Sequence, residues 1–161
     1  MKTRWLMIKP PDIQERIFIG LSVKVCGKSP ADAQICALLT GKREKVDTPY
    51  PERIQVLVQS DPVFASHDIS LMGASLEKEI REWEPDVILF PASEEGKQLA
   101  AWLAGRIGIG LTADLTDFYM DEKGVLHQIR MAYGASLQAE IVTCAGKIQM
   151  ATIKMEQEKA D

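Results

Sequence analysis

The sequence predicts an α/β domain built on a mostly parallel sheet, with antiparallel strands toward its C-terminal end. Three observations carry that prediction. Short β-branched or apolar runs alternate with segments whose apolar residues recur at helical spacing. The run Val87-Ile88-Leu89-Phe90 is wholly apolar and lies between two such segments, as a central strand covered on both faces should. After Gly110 the apolar period shortens to two, the mark of half-buried strands.

The elements follow in order. Trp5 to Ile8 reads as a strand ended by Pro10-Pro11. Asp12-Ile13-Gln14-Glu15 has the form of a capping box, with Ile13, Ile17, Leu21 and Val25 along one helical face and Gly27 as a stop. Gln34 to Leu39 is a short apolar strand. Residues 41–53 are polar, hold Pro49 and Pro51, and read as an exposed loop. Ile54 to Val58 is a β-branched strand. Met72, Leu76, Ile80 and Trp83 form one stripe of a helix, with Glu77 and Arg81 paired on its wet side. Ser93-Glu94-Glu95-Gly96 opens the next helix, with Leu99, Leu103 and Ile107 in its stripe and Gly108 at its end. Beyond Gly110, turns at 121–124, 134–136 and 145–147 separate three or four strands expected to be antiparallel, before a charged tail.

Composition narrows the function. A chain of 161 residues that is 46% apolar suits one compact domain. A net charge of −4 with scattered basic residues argues against nucleic-acid binding, which needs a positive field. No apolar run reaches the roughly 20 residues of a membrane span, and the N-terminus lacks the form of a secretion signal. Cys26, Cys36 and Cys144 form no CxxC pair, which fits a reducing, cytoplasmic setting.

Gly108-Ile109-Gly110-Leu111-Thr112-Ala113 has the letters of a dinucleotide fingerprint but the wrong context, because a helix precedes it and strands follow. Ser93, Gly96 and Lys97 are the best anion-binding candidates, since they follow a central strand and open a helix. Ser93 can instead act as a cap, and Glu94 and Glu95 already complement the positive helix end. Asp114 and Arg130 fall on neighbouring strands, free to pair with each other or with backbone near Tyr133-Gly134. His67 and His127 belong to no three-ligand metal set. No nucleophile or acid–base constellation stands out, so catalysis of the chain's own is not expected.

From Pro85 onward a set of ordered segments resembles the alpha subunit of electron transfer flavoproteins. The segments are PDVILFPASEEGKQLAAWLAGRIGIGLTADLTDF, IRMAYGASLQAEI and KIQMATIKM. The family pattern has a Pro-Asp-led strand, a Ser-x-x-Gly-basic-x-Leu-Ala helix start, Gly-x-Gly-Leu-x-x-Asp, an Arg before an aromatic-Gly turn, and a Gln-Met-Ala-Thr strand. Lys97 stands where the family usually has Arg, and Ala135 where a second Gly is common. The resemblance implies a three-layer, Rossmann-like (adenine nucleotide alpha hydrolase-like) domain over residues 1–155, with 156–161 a tail. It implies that Asp114, Arg130, Tyr133 and Gly134 are motif or interface positions. It also implies a beta-subunit-like partner, and FAD contacts carried mostly by a second domain beyond this one. FAD or AMP is then expected only in a complex, with no cofactor on this chain alone. A small adenine-nucleotide-binding protein is the alternative expectation. A homodimer through edge strands and the apolar face around Met131, Tyr133 and Ile141 is a further one.

Overall fold

A computed structural model describes residues 2–132, 137–143 and 148–155. Among these residues the chain forms eight strands and three α-helices in one sheet of order β3-β2-β1-β4-β8-β5-β6-β7. The elements are β1 (Arg4–Lys9), α1 (Glu15–Lys28), β2 (Gln34–Thr40), β3 (Ile54–Gln59), α2 (Ile69–Trp83), β4 (Val87–Pro91), α3 (Glu94–Ile107), β5 (Leu111–Met120), β6 (Leu126–Ala132), β7 (Leu137–Val142) and β8 (Gln149–Ile153). The predicted α/β class and mostly parallel sheet hold. Turns expected at 134–136 and 145–147 lie outside the described residues.

The last strand departs from expectation. β8 is not a further antiparallel neighbour of the C-terminal hairpins. It lies between β4 and β5, parallel to both. Helix α3 connects β4 to β5 but leaves one strand's width between them, and β8 fills it. Its five residues are all buried. Among the described residues only the β5–β6 and β6–β7 pairings are antiparallel.

Burial separates the sheet into two faces, because alternate strand residues point to opposite sides. Leu6, Ile8, Ile88 and Phe90 pack against Met72, Leu76, Ile80, Leu99 and Leu103 of α2 and α3. Trp5, Met7, Val87, Leu89 and Ala151 face Phe18 and Val25 of α1, with Phe118 and Leu126 of the β5–β6 hairpin. The hairpin therefore covers sheet that a second helix would otherwise cover. A register shift between Thr112 and Leu115 bends β5 onto this face. There Lys24 Nζ donates to the Thr116 carbonyl at 3.0 Å, and Lys28 pairs with Asp117 at 2.9 Å.

Helices α2 and α3 approach closely at Gly73, where an added Cβ would lie 2.4 Å from the Trp102 ring. Gly108 ends α3 in the left-handed region, with φ +81°, and strand β5 follows. The Gly108–Ala113 segment thus runs from helix into strand, the reverse of a dinucleotide fingerprint. Residues 41–53 form a loop as expected. The capping box expected at Asp12 does not form on its own helix: α1 starts at Glu15 behind Gln14, whose side chain makes no cap.

Candidate functional site at the strand switch point

Strand order reverses between β1 and β4. The chain moves outward from β1 to β2 and β3, then returns across β1 to place β4 on its other side. Open α/β sheets bind ligands in the crevice above the carboxyl ends of such a pair. Here that crevice holds Lys9 from β1, Asp12 from the loop after it, and Ser93, Glu95 and Gly96 at the start of α3.

Ser93 is the N-cap of α3, and its Oγ accepts from the Gly96 amide at 3.0 Å. The same hydroxyl donates to Asp12 Oδ1 at 2.7 Å, while the Glu95 amide donates to Asp12 Oδ2 at 3.0 Å. A carboxylate from the loop after β1 therefore sits where the free amides and dipole of a helix N-terminus attract an anion. Gly96 permits the close fit: a Cβ there would lie 2.0 Å from the Pro91 carbonyl oxygen.

The neighbouring groups add negative charge. Glu95 binds His67 Nδ1 at 2.8 Å. Glu15, 1% exposed, takes two hydrogen bonds from Arg43, at 3.1 and 2.7 Å, and one from Tyr50 at 3.4 Å. Burial pushes the Glu15 carboxyl up, but Arg43's hydrogen bonds and charge outweigh it and hold the group below its ordinary value. Lys9 is 4% exposed, and its Nζ donates to the Pro10 carbonyl at 3.2 Å. Burial lowers its pKa, against the opposing pull of Glu44, Glu15, Asp12 and Glu95. The Thr40 hydroxyl closes the floor by donating to the Lys9 carbonyl.

Lys97 does not reach into this cluster. It pairs with Asp114 at 3.4 Å, both side chains about half exposed. Asp114 takes the left-handed region at φ +59° inside the register shift of β5, and its amide donates to Thr152 Oγ1 at 2.9 Å. Its ion-pair partner is thus Lys97 rather than Arg130, which sits in register with Leu115 and Ala139. Tyr133 and Gly134 lie outside the described residues. The structure brings Ser93 and Gly96 together at one helix end and joins Lys97 to Asp114 beside it.

Sequence reasoning did not find Lys9, Asp12, Glu15 and Arg43 as members of this site. The one signal present was the strand ending at Pro10-Pro11 with a carboxylate immediately after it, the position of a switch-point loop. Among the described residues no group of three His, Cys, Asp or Glu side chains is placed to hold a metal ion. None of the helices among them is long and apolar enough to cross a membrane.

A doubly wound α/β domain whose switch-point helix is capped by its own carboxylate is the class that fold and site define. The chain belongs to the electron transfer flavoprotein domain family, whose model matches residues 19–158. It is 34% identical over 99 residues to the electron transfer flavoprotein subunit alpha of Thermoanaerobacterium thermosaccharolyticum, a match covering 62% of this chain and 30% of that protein. Protein FixB of Azorhizobium caulinodans is 31% identical over 97 residues, covering 60% of this chain and 26% of its own. The LctC subunit of the NAD(+),ferredoxin lactate dehydrogenase of Acetobacterium woodii is 36% identical over 100 residues, covering 62% and 24%. These matches bear out the alpha-subunit resemblance. The matched segments span less than a third of the length of these relatives.

Proposed function

We propose that this domain serves as an alpha-type subunit in an electron-transfer-flavoprotein-type assembly, as a docking scaffold that does not itself hold the flavin's phosphates. The family match supports the electron-transfer setting. The Asp12 carboxylate on the Ser93 hydroxyl and the Glu95 amide carries the scaffold reading. A nucleotide phosphate entering at α3 must displace that carboxylate and then lie beside Glu95. The partner in this reading is a beta-subunit-like chain, and FAD or AMP joins only in the complex. The setting is cytoplasmic, where thiols such as Cys26 and Cys36 stay reduced. The chain needs no catalytic group of its own for this role.

Co-expression with a beta-subunit-like protein tests the proposal. The expected result is a stable complex by size-exclusion chromatography, with the isolated chain colourless. Stoichiometric flavin on the isolated chain, or failure to bind any such partner while remaining a folded monomer, overturns it. A homodimer would emerge in the same chromatography as a doubled mass for the chain alone.

A second reading, an adenine-nucleotide site formed by Ser93, Gly96 and Lys97, draws on one observation: α3 opens at the switch point, with Gly96 pressed against the end of β4. Calorimetry with AMP, ATP and FAD separates the two. Saturable heat with the isolated chain favours this reading, and its absence removes it.

A further inference from the structure

A second titratable cluster lies far from the switch point, on the antiparallel extension. His127 of β6 is held from both sides. Its Nε2 lies 2.8 Å from Asp121 Oδ2 in the β5–β6 turn, and its Nδ1 lies 2.7 Å from Glu140 Oε1 on β7. The Tyr119 ring of β5 stacks on the imidazole with centroids 4.5 Å apart and planes 7° from parallel. The Tyr119 hydroxyl donates to the same Glu140 oxygen at 2.8 Å.

Each ring nitrogen faces a carboxylate, which can only accept. Both nitrogens must therefore donate, and only the doubly protonated imidazolium has two N–H groups. The neutral ring turns a lone pair toward one carboxylate at hydrogen-bond distance, and that contact becomes repulsive. We propose that His127 is a protonation-dependent clamp that ties edge strand β7 to the β5–β6 hairpin, firm when the ring is charged and released when it is neutral.

The two carboxylates are not equivalent. Asp121 is fixed in its turn by the Lys123 and Val125 amides, at 2.9 and 3.1 Å. Among the described residues Glu140 belongs to a strand that pairs on one side only, with β6. The Glu140 contact is therefore the one that yields. The groups facing His127 are Asp121 from the turn, Glu140 from β7 and Tyr119 from β5. The hydrogen bonds to Asp121 and Glu140 hold its pKa above the ordinary 6.5. Stability carried by the clamp is thus complete below pH 6.5 and is lost as pH rises through the higher folded value. Its release frees a strand whose Leu137 and Val142 are already exposed. The inference goes beyond the proposed scaffold role and does not depend on it.

Two measurements on the whole chain test it. Nitrogen-15 NMR of the His127 ring should show both nitrogens protonated at about pH 6, with a midpoint above 6.5. Hydrogen exchange of the β7 amides, corrected for the intrinsic pH dependence and referenced to β4, should lose protection as pH rises. The loss should be about tenfold for each unit by which the folded midpoint exceeds 6.5. His127→Gln should abolish this pH dependence. Glu140→Gln should lower the midpoint and shrink the loss, and it keeps the test open if the first variant does not fold. A single-N–H ring at about pH 6, a midpoint at or below 6.5, or the same pH response in His127→Gln overturns the clamp.

Discussion

Replacing Gly96 with Ala probes the first turn of α3 directly. The new methyl would sit 2.0 Å from the Pro91 carbonyl oxygen and 3.0 Å from Ser93 Oγ. The first neighbour is backbone of a fully buried strand and cannot rotate away. Ordinary contact begins near 3.4 Å, so the helix start must lift off the end of β4. That movement also strains the Gly96–Ser93 and Glu95–Asp12 hydrogen bonds. Overpacking of this kind costs about 1–3 kcal/mol, and a lost cap about 1 kcal/mol more, giving a total of roughly 2–4 kcal/mol. For a domain of this size that corresponds to a fall in Tm of roughly 4–16 °C. Urea denaturation followed by circular dichroism should show a lower midpoint with an unchanged slope. Gly105→Ala is the control: it lies in the same helix with nothing within 4 Å of the added Cβ. It should stabilise by about 0.5–1 kcal/mol, since Ala is the better helix former. If Gly96→Ala matches or exceeds the wild type while Gly105→Ala behaves as expected, the close approach at Pro91 is not real and the reasoning fails.

Two further predictions address the buried groups. Glu15→Gln removes the charged partner of Arg43 and should destabilise by about 1–2 kcal/mol, the lower part of the range for charged hydrogen bonds because Arg43 is half exposed. Because the folded Glu15 value lies below 4.5, its contribution is present above that pH and disappears as pH falls through the depressed value. The variant and wild type should therefore converge in strong acid, and a constant gap at every pH refutes the assignment. Burial pushes the Cys36 thiol up to about 11, so it should resist alkylation in the native state and react on unfolding, as read by peptide mass spectrometry. Rapid native labelling of Cys36 contradicts its burial.

Local chemistry made most elements legible in the sequence. The β4 run, the Ser93 cap and the Gly108 stop each depend on residues within a few positions, and each forms as read. What the sequence concealed is non-local. Period-two alternation identifies β8 as a strand but carries no information about which strands flank it, and the gap between β4 and β5 exists only in the folded sheet. Asp12 has the form of a cap for α1, yet its carboxylate caps α3, more than eighty residues further on. Competition between two helix ends for one side chain is settled by where β1 and β4 end, which no local pattern encodes. Glu15 and Arg43 meet across a loop with no periodicity, and Asp114 meets Lys97 from within the register shift of β5.

The most direct test of the closed helix end is a titration of the isolated chain with AMP and FAD, following the amide resonances of Glu95, Gly96 and Lys97. With Asp12 in place these resonances should show no saturable shift up to about 1 mM ligand, the range of binding worth about 4 kcal/mol. Saturable shifts confined to these amides, accompanied by loss of the Glu95–Asp12 hydrogen bond, would mean that a phosphate displaces the carboxylate and that the domain is a nucleotide site after all.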